Sequence, residues 1–395
     1  MVKKVLFLLL IAALCLSLGA CNDVPFVGID SSSLEPFVIG GIGPLTEEGG
    51  EFGASVYQGA QLAVEEINAT GGVNGFRLVL NFQDSKGDPK TAETLYNKLM
   101  DNDMKVLLEG AASQEVLGLS DFVSRDGLLT LTTVAADSSV LLEKGNRFRV
   151  CASDTRMGTL MANFIADQRL AQKVLLLTDA PFGVKKEQAI AFSDTFLGRG
   201  GNLEGYPVTA EDLADFSNLL RMLDTSPCEV IYLDISPDIA LELLDAYGWD
   251  GSVSEKKIIG NKALEGILER TKTPNRWEGA FVATSFVPND ESVLVQNFVK
   301  SYTDAYKTSP DRYAANGYDA VYAVAEALKK AGITPDNVDR DDFNKKMVSA
   351  MTKIAVNGVT GVMSWTTDGE TSRPSYIKVV KNGEYTNFIK ESEGT

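Results

Sequence analysis

From Phe37 onward, short apolar runs alternate with stretches whose apolar residues recur at helical spacing. Residues 37–42 are a short apolar run ending in glycines, which predicts a buried strand. In 55–68, Val56, Ala60, Ala63, Val64 and Ile67 share one helical face, and Gly71-Gly72 stop the helix. A strand at 77–82 leads to Asp84, and Asp88-Pro89 supply an N-cap and a first-turn proline for a helix reaching about residue 100. Strands at 106–109, 128–133 and 147–150 follow, the first two separated by a helix carrying Val116, Leu117, Phe122 and Val123. After Asp154, a good N-cap, the pattern restarts. It gives strands at 174–178, 203–208, 230–235, 257–260 and 280–286, with helices at 157–165, 185–198, after Asp215 and at 237–247. Helices near 290–307, 313–331 and 341–351 precede a β segment with an Asn382-Gly383 hairpin signal. Regular strand–helix alternation predicts an α/β protein with mainly parallel sheets, in two units at 36–152 and 153–284 with a mixed tail.

The chain has 395 residues and is 44% hydrophobic, enough apolar surface for two ordinary domains and too much for a disordered chain. Its net charge of −17 argues against nucleic acid, which needs a basic footprint. It contains no histidine. That removes Ser-His-Asp and Cys-His catalysis and histidine-ligated zinc or haem, and leaves an enzyme only carboxylates or lysine to work with. The glycines at 40, 41 and 43 lack the G-x-G-x-x-G spacing of a dinucleotide loop, and neither a cofactor nor a metal is implied.

Residues 1–20 open with Lys3 and Lys4, run apolar from Val5 to Leu18, and end in Gly19-Ala20 before Cys21. The run is too short to span a membrane comfortably and suits a signal peptide. Leu18-Gly19-Ala20-Cys21 resembles the lipobox of bacterial lipoproteins, which implies cleavage before Cys21 and acylation of its sulfur. Acyl chains would anchor the mature chain to a membrane surface, each buried methylene adding about 0.8 kcal/mol. Residues 21–35, polar with a proline and a serine triplet, read as a tether. Cys151 and Cys228 fall at distant places in the predicted elements and are expected to stay unpaired.

Pro44-Leu45-Thr46, Gly59-Ala60, 63–68 (AVEEIN) and 71–75 (GGVNG) resemble the opening of the branched-chain amino-acid-binding proteins of ABC transporters, the type I periplasmic binding fold. Asp84 with Asp88-Pro89, Phe148-Arg149 with Ser153-Asp154, 318–322 (YDAVY) and 358–361 (GVTG) continue the resemblance in order. It covers 37–390 and implies two Rossmann-like lobes joined by a hinge. The N-terminal lobe would comprise 36–152 plus about 286–362, and the C-terminal lobe 153–285 plus about 363–395. A small-molecule ligand would bind between them, and the partner would be an ABC transporter permease serving a monomeric, exported, lipid-anchored protein.

Carried over position by position, the resemblance implies a ligand site. Ser113, opening a helix after a strand, would hold a carboxylate; a plain helix cap is the other reading. Ala135 and Ala136 match a second carboxylate-binding loop, with Ala136 where a hydroxyl residue is usual. Asp154 matches an acid for a ligand ammonium, or else caps its helix. Phe182 stands in place of a tyrosine as an apolar wall, and Phe52 fits an aromatic near the mouth. Asp234 and Ser236 follow a strand in the ligand-facing loop, where a solvated acid is the alternative. Lys262 falls where amino-acid binders carry a glutamate. A lysine there would repel an ammonium and favour an amine-free or acidic ligand, unless it is simply a surface residue. Three function classes remain open: a transport receptor, a ligand sensor of the same fold, and an enzyme built on carboxylates.

Overall fold

The computed structural model describes residues 31–47, 49–141, 145–179 and 186–390. The signal segment, Cys21 and Phe182 lie outside the described residues.

The first sheet is built from β1 (Glu35–Gly43), β2 (Phe76–Asp84), β3 (Val106–Glu109), β4 (Thr130–Thr132) and β5 (Arg147–Arg149). Its order is β2-β1-β3-β4-β5, and every pairing is parallel. Helices α1 (Gly50–Ala69), α2 (Pro89–Asp101), α3 (Ser113–Gly118) and α4 (Ser120–Asp126) connect its strands. α1 begins five residues before the periodic face suggests. Gly49, at φ 79°, turns the chain into the helix, so Phe52 belongs to its first turns. The single helix expected after Ser113 breaks into two at Leu119. α2 starts as the sequence reading has it: the Asp88 side chain accepts from Thr91 N–H and Pro89 takes the first helical position.

Helix α5 (Asp154–Asp167) leads into the second sheet: β6 (Lys173–Thr178), β7 (Asn202–Pro207), β8 (Val230–Asp234), β9 (Lys257–Gly260) and β10 (Phe281–Thr284). These five strands are parallel. Between them lie α6 (Glu187–Gly198), α7 (Ala210–Ala214), α8 (Ser217–Thr225), α9 (Pro237–Tyr247) and α10 (Ile267–Arg270). Then come α11 (Val293–Tyr306), α12 (Arg312–Ala331), α13 (Phe343–Met351) and the hairpin β11 (Ala355–Gly358) with β12 (Gly361–Ser364). β13 (Tyr376–Lys381) and β14 (Glu384–Lys390) add antiparallel to the second sheet, giving the order β14-β13-β10-β9-β8-β6-β7. Asn382 and Gly383 make their turn with φ of 52° and 76°, the two left-handed residues a tight hairpin requires.

The core follows the sheets and not the chain order. Phe37, Leu108 and Phe148 share one apolar cluster with Phe298, Val321, Met347 and Trp365 from the far end of the chain. α12 lies against α1 through glycines: a Cβ on Gly59 would sit 1.9 Å from the Ala314 carbonyl oxygen, and one on Gly317 2.2 Å from that of Val56. The second sheet packs its own clusters, around Leu233 and Trp277 on one face and Phe192 and Ile259 on the other.

Cys151 and Cys228 are both buried and free. Among the described residues no helix is long and apolar enough to cross a membrane.

At the mouth of the first sheet, Asp84 fixes the loop after β1. Its partial burial alone would raise the carboxyl. Leu45 N–H at 2.8 Å, the Thr46 hydroxyl at 2.5 Å and Lys86 N–H at 3.0 Å outweigh that and hold it down at about 2. A carboxyl depressed on folding stabilises above its unfolded value, and the contribution fades as pH falls through the folded value. Asp84→Asn should therefore lower the urea midpoint at pH 7 and at pH 5, with the gap from the wild type closing between pH 4 and pH 2. A gap that stays constant over that range would refute the assignment.

Candidate functional site

In parallel α/β sheets the carboxyl ends of the strands carry the loops that meet ligands. The expected site residues sit there. Ser113 follows β3, Ala135 and Ala136 follow β4, and Asp154 follows β5. Asp234 ends β8, Ser236 follows it, and Lys262 begins a 3-10 turn after β9.

A ladder of contacts joins them. The Ser113 hydroxyl accepts from Asp137 N–H at 3.4 Å, and Asp154 N–H donates to the Ala136 carbonyl at 3.0 Å. Lys262 Nζ lies 2.7 Å from Asp154 Oδ1. The strand ends of the two sheets therefore meet through Ala136, Asp154 and Lys262.

Two residues hold the loop on the first sheet in place. Arg149 donates to the carbonyls of Ala135 at 2.5 Å and Asp137 at 2.9 Å, and its Nε is 3.2 Å from Glu370 Oε2. Arg147, fully buried, donates to Glu109 Oε1 at 2.9 Å, Val116 O at 3.1 Å, Val140 O at 3.0 Å and Ser120 Oγ at 3.0 Å. Burial raises the Glu109 carboxyl and the Arg147 charge works against that rise. Glu109 is the residue before the Gly110–Ser113 loop, so this pair anchors Ser113 from below.

Several alternatives are settled by geometry. Ser113 does not cap its helix, since Ala112 occupies the N-cap and no side-chain cap bond is made. Asp154 is not an N-cap. Ser153 takes that position with extended backbone and accepts from Arg156 N–H, leaving Asp154 as the first helical residue with its carboxylate turned to Lys262. Lys262 is half-buried, its side chain 22% exposed within that pair. Asp234 is 1% exposed and not a solvated loop acid. Its Oδ1 accepts from Asn261 Nδ2 at 2.6 Å, and burial pushes its carboxyl up against the lowering effects of Lys186 and Asn261. The Ser236 hydroxyl caps α9 through Ile239 N–H at 3.4 Å, and its N–H donates to Asp179 Oδ2 at 2.6 Å.

Other residues of the neighbourhood were not singled out by the sequence reading. Lys186 pairs with Asp179 and donates to the Asp234 carbonyl at 3.1 Å. Arg312, at the start of α12, reaches Glu265 at 2.8 Å and lies over the Tyr313 ring at 4.4 Å. Phe52 packs on that same Tyr313 ring at 5.6 Å, which places the expected mouth aromatic beside this ion pair. Burial would raise the Glu265 carboxyl, but Lys378 and Arg312 hold it low. Glu265 lies three residues after Lys262, the one signal near an expected site position, while Arg312, directly after the N-capping Asp311, carried none.

These groups bring hydrogen-bond donors, acceptors and charges of both signs to the carboxyl ends of both sheets, as a small polar ligand requires. Among the described residues no group of three or more histidine, cysteine or carboxylate side chains is placed to hold a metal ion.

Comparison with known proteins agrees with this architecture. A family model described as periplasmic binding protein matches residues 36–384. The chain is 26% identical over 367 residues to the Leu/Ile/Val-binding protein homolog 3 of Brucella melitensis, covering 89% of this chain and 92% of that one. The substrate-binding protein LivJ of Streptococcus pneumoniae, solved with isoleucine, superposes with a TM-score of 0.74 at 20% identity, covering 90% of this chain and 100% of that one. A solute-binding protein of Rhodopseudomonas palustris BisB5, solved with 3,4-dihydroxybenzoic acid, gives 0.75 at 20% identity, covering 90% and 97%. With the matched model running through both sheets and the late helices that complete the first, the chain belongs to the periplasmic binding protein family.

Proposed function

We propose that this protein is an extracytoplasmic binding lipoprotein that captures a small polar solute between its lobes and presents it, as a monomer, to an ABC importer. The observation that carries the reading is the meeting of the strand ends of both sheets at Ala136, Asp154 and Lys262. In it, the Ser113 hydroxyl and the backbone around Ala135 and Ala136 receive a ligand carboxylate. Phe182 and Phe52 supply apolar walls, and Asp154, Asp234, Ser236 and Lys262 face the other end of the molecule. Cleavage before Cys21 and acylation of its sulfur keep the receptor beside its transporter, and residues 22–35 give it reach. The names of its relatives, which mention Leu/Ile/Val, isoleucine and 3,4-dihydroxybenzoic acid, support solutes that carry one carboxylate.

A thermal-shift screen over amino acids, organic acids, amides and purines tests this. A bound solute stabilises the folded chain by mass action, by about 2.7 kcal/mol at a hundredfold excess over Kd. At least one class should raise the melting temperature in a saturable way and be recovered unchanged. A flat response across all classes, or chemical turnover of the solute, would remove the reading.

A further inference from the structure

The second-lobe side of the site has spent its charges on itself. Asp154 is bound to Lys262 at 2.7 Å, with the two side chains 25% and 22% exposed. Asp179 is taken by Lys186 and by Ser236 N–H. Asp234 gives Oδ1 to Asn261, while its Oδ2 has no hydrogen-bond partner among the described residues although the side chain is 1% exposed. Burial raises that carboxyl, and at 1% exposure the residue presents almost no surface to an incoming ammonium. An ammonium brought here would face two lysine cations whose acids are already engaged, and a desolvated cation without a partner is strongly disfavoured. A second carboxylate would fare little better, since it gains Lys262 only by evicting Asp154.

We propose that the ligand is a small monocarboxylate without an amine, and that the Lys262–Asp154 ion pair is the specificity-determining element that turns away the matching α-amino acids. This rests on the proposed binding site and adds to it the chemical class of its occupant. Discrimination comes less from what the pair attracts than from what it withholds: Asp154 cannot serve a ligand amine while Lys262 holds it.

Calorimetric titration of the mature chain with two matched pairs separates the possibilities: 4-methylpentanoate against L-leucine, and 3-phenylpropanoate against L-phenylalanine. Members of each pair differ by the amine alone. Wild-type protein should bind the acid of at least one pair about tenfold or more tighter than its amino acid. Lys262→Gln, which frees Asp154, should shift that ratio toward the amino acid by about tenfold, and Lys262→Met should do the same if the first variant folds poorly. Equal or tighter binding of the amino acids by wild type, an unchanged ratio in both variants, or no binding of either acid would each overturn the proposal. A saturable amino-acid response in the solute screen would leave the receptor reading standing while this one falls. Silence from every solute class would take down both.

Discussion

Replacing Arg373 with methionine should cost the folded state about 3–5 kcal/mol, read as a lower urea midpoint with an unchanged slope. The side chain is fully buried and lies where the chain crosses between the sheets. Its guanidinium donates to the Val150 carbonyl at 2.5 Å, just after β5, and to the Ser285 carbonyl at 2.7 Å, just after β10. It also donates to Asn316 Oδ1 at 2.6 Å, and Asn316 in turn donates to the Thr133 carbonyl at 2.8 Å. Arg373 itself precedes β13, so one side chain ties three passages of the chain together. Methionine fills much of the volume but satisfies none of these acceptors, and buried carbonyls left without donors carry the penalty. A loss below about 1 kcal/mol would show that water replaces the guanidinium there and that the crossover is not held by it.

Breaking the Arg147–Glu109 pair should be comparably severe, but the loss should be recoverable. Arg147→Met leaves a fully buried carboxylate without its cation, a change worth about 3–5 kcal/mol. Adding Glu109→Leu removes the stranded charge, and the double variant should regain at least half of that loss, since apolar replacements of buried pairs are often near neutral. Urea denaturation of both single variants and the double variant closes the cycle. Strictly additive losses would mean that the two side chains do not act as a pair. Because Glu109 leads into the Ser113 loop, the variants should also weaken ligand binding more than their stability loss alone requires.

The architecture was legible because its signals are local. Asp88-Pro89 announced α2, Asn382-Gly383 announced the last hairpin, and the periodic face from Val56 to Ile67 announced α1. Where the reading slipped, a neighbour decided. Ser153 and Asp154 are both good caps by type, and only the geometry shows that the serine takes the role and releases the aspartate to Lys262. Helix α7 opens on a Thr209–Asp212 capping box, ahead of the helix expected after Asp215, because its five residues are too few to show a periodic face. The site was legible by position and not by partner. Glu265 meets Arg312 across 47 residues, and Arg149 meets Glu370 across 221, separations at which no spacing rule operates. Asp234 looked like an ordinary loop acid because burial is a property of the whole fold.

The first sheet borrows its covering layer from the end of the chain. Its strands are synthesised by residue 149, yet Phe298, Val321, Met347 and Trp365 arrive much later. Until then α1, through Ala60, Val64 and Ile67, covers only part of that face, and the growing chain exposes the rest. Long-range closure of this kind is slow and leaves sticky surface in the meantime. In an exported chain of this family such delay would be an advantage: the nascent polypeptide would stay pliable through most of its translation, with the last quarter of the message completing the collapse.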